Sequence, residues 1–178
     1  MKNKSIFQQI IQYLVSLTFI IWLVSYVCRH LLVYQMFEPR ELQLRSFFSV
    51  DSLKYVFEII LPILVTNIIS YSIFLVLFII FIATTDLKLK NEGWLFITLL
   101  VVLVTGPFEI FLLTKDYSII SLIYNGSQDY SMILELIRKR ITILSSFSLI
   151  EIFAYFAVIY LIIAKPLVKK DEIKRERT

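Results

Sequence analysis

Cysteine occurs once, at Cys28, and histidine once, at His30. A lone cysteine excludes an intrachain disulfide and a cysteine-rich metal site. A lone histidine excludes a bis-histidine haem, and one His, one Cys and scattered acids lack the ligand spacing that zinc requires. Glycine is nearly as scarce, with only Gly93, Gly106 and Gly126. No GxxxG helix-pairing face can be built from them. A glycine-rich phosphate loop and a serine-nucleophile elbow are missing as well. These absences lead us to expect no catalytic constellation, no metal and no cofactor.

Charge is also sparse, at 18% of the chain, whereas hydrophobic residues make up 58%. In water so much Ile, Leu, Val and Phe would leave large exposed apolar patches. A lipid bilayer is therefore the expected solvent, in keeping with a mean hydropathy of +0.80. The formal net charge is +4, but the basic residues flank apolar runs. They would meet anionic headgroups there, so no nucleic acid is expected as a partner.

Four apolar runs stand out. The first carries no charge between Ser5 and Cys28. Lys2 and Lys4 precede it as in a signal peptide, but it is long for a signal core and no small-x-small cleavage site follows, so it reads as a retained span. The second is uncharged over the 27 residues from Ile59 to Thr85, about 40 Å of helix against a hydrocarbon core of about 30 Å. Such a helix must tilt, kink or protrude, and Pro62 is a natural kink site. The third run extends from Gly93 to Thr114, interrupted at Gly106-Pro107 and Glu109, and the fourth from Ile141 to Ala164, interrupted by Glu151. The expected spans are residues 8–30, 57–84, 93–114 and 141–164. The expected fold is an all-α polytopic integral membrane protein, one domain over residues 1–178, built as a four-helix transmembrane bundle with short interfacial helices.

Two connections have character. Residues 31–54 mix charge with Phe47-Phe48, which suits an interfacial helix. Asn125-Gly126-Ser127-Gln128-Asp129 is a turn signal, after which Ile133, Ile137, Ile141 and Leu144 repeat at helical spacing. The fourth helix is accordingly expected to start near Tyr130 and to extend beyond the bilayer before entering it. An even number of spans puts both termini and the loop 86–92 on one side. Ten of the eighteen Lys and Arg fall on that side, several in the tail 165–178, where Lys169, Lys170, Lys174, Arg175 and Arg177 form a membrane-surface basic cluster. The positive-inside rule then places both termini in the cytoplasm, in what is expected to be a bacterial inner (plasma) membrane. Arg138-Lys139-Arg140 on the opposite side is the main objection.

Few ionisable residues lie in or beside the spans: Arg29, His30, Glu58, Glu109 and Glu151. Charge in lipid is costly enough to make each a candidate for function, and the assumed topology puts all five in the outer half. They are expected to form an intramembrane polar cluster. Such a cluster could relay protons or bind a cation or a headgroup. Alternatively it joins helices, with Arg29 pairing one carboxylate, a second carboxyl bonding a neighbouring helix and Glu58 reaching the headgroups. The leading functional expectation is a non-catalytic subunit or assembly factor of a larger membrane complex, partnered by lipid and by other membrane subunits or further copies of itself. The alternative is a small channel or transporter for ions or protons that uses the intramembrane carboxylates, and third comes an intramembrane enzyme acting on lipids.

Overall fold

The computed structural model describes residues 6–38, 42–85, 89, 91–127, 129–143 and 146–168, excepting the side chains of Val50 and Asp51. Five helices follow in order: α1 (Ile6–Gln35), α2 (Val50–Thr84), α3 (Gly93–Tyr124), α4 (Tyr130–Thr142) and α5 (Phe147–Ala164). Four of them, all but α4, are long and apolar enough to cross a membrane. The protein is an all-helical membrane protein, with no strand among the described residues.

The helices form because their apolar residues recur at helical spacing. On α1 the buried set includes Phe19, Trp22, Leu23 and Tyr26, a stripe repeating every three or four residues. It meets Tyr71, Phe74 and Phe78 of α2, Val102 and Leu113 of α3, and Ile152, Tyr155 and Val158 of α5. Trp22 is central: its ring stacks on Phe74 at 6.0 Å and meets Tyr155 edge-on at 4.8 Å. A second core gathers Met36, Phe37, Leu53, Phe57, Ile60, Leu64 and Ile119 under Ile133, Ile137 and Ile141 of α4.

Both bundle ends are fastened. At one end Gln8 donates to the Thr84 carbonyl at 2.9 Å, and Gly93 N–H donates to the Leu167 carbonyl at 3.3 Å. The start of α1, the end of α2, the start of α3 and the segment after α5 therefore lie together, as an up-down path of four spans requires. Trp94 donates from its indole to Glu92 beside them. At the other end Ser49 and Ser52 bond each other's backbone N–H reciprocally, capping α2. Asp129 caps α4 by accepting from Met132 N–H at 3.0 Å. The Ser131 hydroxyl and that amide hold its carboxyl below the ordinary carboxylate range.

Several expectations are corrected. The segment 36–49 forms no interfacial helix among its described residues. Instead α1 absorbs residues 31–35, and a short antiparallel bridge joins Phe37 to Leu44. Pro39, Arg40 and Glu41 lie outside the described residues, as do Leu144 and the tail basics Lys169, Lys170, Lys174, Arg175 and Arg177. The helix does not run on from Tyr130 to Ala164. It stops at Ile143, whose backbone is extended, and α5 restarts at Phe147. The reason is amphipathicity: α4 carries Arg138, Lys139 and Arg140, so it packs its isoleucine face on the second core rather than entering lipid. Gly106-Pro107 does not break α3, and Pro62 likewise lies inside the continuous α2. A proline removes one backbone donor, but lipid gives the freed chain no water to turn to, and continuation is favoured. Finally, α3 continues to Tyr124, ten residues past its expected end.

The glycines differ in role. A Cβ at Gly93 would lie 2.8 Å from the Leu167 Cβ, whereas one at Gly106 would meet only the Tyr71 hydroxyl at 3.7 Å. Gly93→Ala should therefore destabilise by about 1–3 kcal/mol through overpacking. Gly106→Ala should be neutral or stabilising by up to about 1 kcal/mol, because alanine is the better helix former. Thermal unfolding of both variants in detergent checks the contrast.

Candidate functional site: a buried ionic layer

On each long helix the order of residues sets a layer of polar groups between the two cores. Arg29 follows the aromatic stripe of α1. Asn67 separates Leu64 from Tyr71 on α2. Glu109 and Asp116 lie seven residues apart on one face of α3, and Glu151 follows Ser148 on the buried face of α5. All five are at most 3% exposed.

Asp116 is the hub. Arg29 pairs with its Oδ2 through Nη1, and Arg140 Nε donates to its Oδ1 at 3.2 Å. The same Arg29 nitrogen donates to Asn67 Oδ1 at 3.2 Å, and Asn67 Nδ2 donates to Ser25 Oγ at 3.3 Å. The Arg29 guanidinium also lies 4.7 Å from the Tyr26 ring centroid, a cation–π contact. These bonds join α1, α2, α3 and α4.

A second set joins α1, α3 and α5. Tyr26 donates its hydroxyl proton to Glu151 Oε2 at 2.9 Å. The hydroxyls of Thr105 and Tyr155 share a bond of 2.7 Å. Glu109 lies beside Glu151 with no exposure at all. Neither of its oxygens has a hydrogen-bond partner of normal geometry, and the same holds for Glu151 Oε1, the Tyr71 hydroxyl, Trp22 Nε1 and the Nη2 atoms of Arg29 and Arg140. A cavity of about 30 Å³ adjoins the layer on the α4 side, lined by Arg29, His30, Asp116, Arg140 and Ser148 with apolar side walls. By volume it admits one or two water molecules.

Three of the five sequence candidates, Arg29, Glu109 and Glu151, converge here. His30 is on the cavity wall, its ring 4.4 Å from that of Tyr34. Glu58 is not brought in: it is exposed and borders a separate surface cavity with Lys54 and Tyr130. Asp116, Arg140, Asn67 and Tyr26 belong to the layer and were not singled out from the sequence. Arg140 could have been, because it stands three residues after Ile137 and seven after Ile133, on the isoleucine face of α4. Among the described residues no group of three His, Cys, Asp or Glu side chains is gathered for a metal ion.

Compared with family models, curated proteins and solved structures, the chain matches none.

Removing one member of a buried charge pair leaves the other uncompensated, a loss of about 3–5 kcal/mol. Asp116→Ala strands two guanidinium groups and should abolish accumulation of folded protein. Glu58→Ala should leave folding unchanged, as an exposed surface substitution does. Yield of monodisperse protein in detergent checks both.

Proposed function

We propose that this protein is a non-catalytic subunit or assembly factor of a larger membrane complex. The observation that carries this reading is the full engagement of Asp116 at the centre of the ionic layer. Both oxygens of Asp116 are occupied by arginines from two other helices, and the adjoining cavity of about 30 Å³ is too small for an organic substrate. The polar residues are thus engaged mainly in joining helices. The exposed faces of the spans support the same reading. They carry bulky side chains such as Ile20, Val24, Ile69, Val76, Leu103, Ile150 and Phe153, a surface for lipid or for the apolar face of another membrane chain. Conduction through the protein is less favoured, because Phe19, Trp22, Phe74 and Phe78 fill the bundle between the ionic layer and the opposite end.

The orientation proposed is both termini in the cytoplasm. The bonds of Gln8 to the Thr84 carbonyl and of Gly93 to the Leu167 carbonyl, which gather the start of α1, the end of α2, the start of α3 and the segment after α5 at one end, support this reading. The basic triplet objection weakens, since Arg140 turns inward to Asp116 and only Arg138 and Lys139 face out.

Purification in mild detergent tests the function. A second membrane polypeptide at fixed stoichiometry, retained after size exclusion, is the expected result. A partner-free protein that carries proton flux in liposomes, lost in Glu109→Gln, would overturn the subunit reading. In a Cys28→Ser background, a cysteine at Ser127 should react with an impermeant maleimide from outside and one at Asn91 only after permeabilisation.

A further inference from the structure

The acid pair Glu109 and Glu151 is the least satisfied part of the molecule. Three of its four carboxyl oxygens have no partner of normal geometry, although Glu109 has no exposure and Glu151 only 1%. Buried acceptors without donors are costly. One unpartnered donor stands nearby, the Tyr71 hydroxyl, which lies within the electrostatic field of both acids. The pair therefore calls for a ligand that turns an acceptor into a donor.

We infer that Glu109 and Glu151 form a binding site for one exchangeable proton, reached from the α4 end of the bundle through Ser148 and Tyr26. The count of charges supports one proton. The layer holds two guanidinium groups, Arg29 and Arg140, and three carboxyls, Asp116, Glu109 and Glu151. One proton on the pair makes the layer as a whole neutral, and either other occupancy leaves a net charge buried in the membrane. Placing the proton on Glu109 lets it donate to Glu151 Oε1, while Glu151 Oε2 already accepts from Tyr26. The remaining Glu109 oxygen can then accept from Tyr71. A metal ion is a poorer fit. Neither acid lines the adjoining cavity, and the described residues offer no three-ligand cluster.

Every helix presents titratable or charged groups to the pair: Tyr26 and Arg29 from α1, Tyr71 from α2, Asp116 from α3, Arg140 from α4 and Tyr155 from α5. Of these, Tyr26 connects outward. Its hydroxyl bonds Glu151 and lies beside the Ser148 hydroxyl, and Ser148 lines the cavity. A proton entering at the Ser148 oxygen releases that hydroxyl's own proton to Tyr26, whose proton passes to Glu151. Each hydroxyl gains one proton and loses one, so the acid pair alone is changed. On the other side the hydroxyls of Tyr71, Tyr155 and Thr105 are backed by Phe19, Phe74 and Phe78, which continue no such chain among the described residues. The site loads from one face only.

Infrared spectroscopy of the purified full chain in liposomes tests this. A protonated-carboxyl C=O band at neutral pH, shifting in D₂O, is expected in wild type and lost in Glu109→Gln, whose amide replaces the neutral acid in similar volume. If that variant fails to fold, Glu151→Gln is read in its place. Tyr26→Phe should keep the band but slow its shift by about tenfold or more. Absence of the band in wild type at neutral pH, or its survival in both glutamine variants, would overturn the site. An unslowed shift in Tyr26→Phe would overturn the route.

Discussion

Asp116 accepts from two guanidinium groups that arrive from distant parts of the sequence, Arg29 on α1 and Arg140 on α4. Much of the α4 end of the fold depends on this clamp. It holds the one amphipathic helix against the ends of the spans and sets the depth at which α1 and α3 meet. An ion pair buried this deeply adds little net stability, since desolvation offsets most of the attraction. Its effect is on choice among arrangements. A slip of one helical turn along either helix would bury unpaired charges, so only one register is tolerated.

The two cores on either side have different natures. The bundle core is aromatic, centred on Trp22, Tyr71, Phe74 and Tyr155, and such rings pack in offset and edge-on geometries that resist sliding. The core under α4 is mostly isoleucine, leucine and phenylalanine, and lies where α2 and α3 extend past the thickness of a bilayer. The ionic layer sits at the boundary. Water on the α4 side can reach as far as the small cavity, and the aromatic core closes the way beyond.

The four spans were legible in the sequence because an uninterrupted apolar run has few other uses. Their lengths were not. Lys115-Asp116 looked like the start of a loop, yet α3 continues because Asp116 has two cations to meet, which hydropathy cannot register. Arg138-Lys139-Arg140 looked like one basic patch, but helical spacing separates Arg140 from its neighbours and turns it inward. Arg29, Glu109 and Glu151 were visible as isolated charges in apolar surroundings. Asn67 and Tyr26 were hidden, since neutral polar residues do not interrupt an apolar run enough to stand out. Glu58 lies apart for a geometric reason: it shares the exposed face of α2 with Lys54, Tyr55 and Ile59, away from the buried stripe of Leu53, Phe57 and Ile60. The helix break after Ile143 was announced only by Ser145-Ser146, the second of which is the N-cap of α5.

The Arg29–Asp116–Arg140 clamp holds α4 to the bundle. Hydrogen–deuterium exchange of wild type and Arg140→Gln tests it most directly. The amides of α4 from Ile133 to Ile141 should lose their protection in the variant, while those in the middle of α1, α2, α3 and α5 keep theirs. Protection of α4 equal to that of wild type would contradict it.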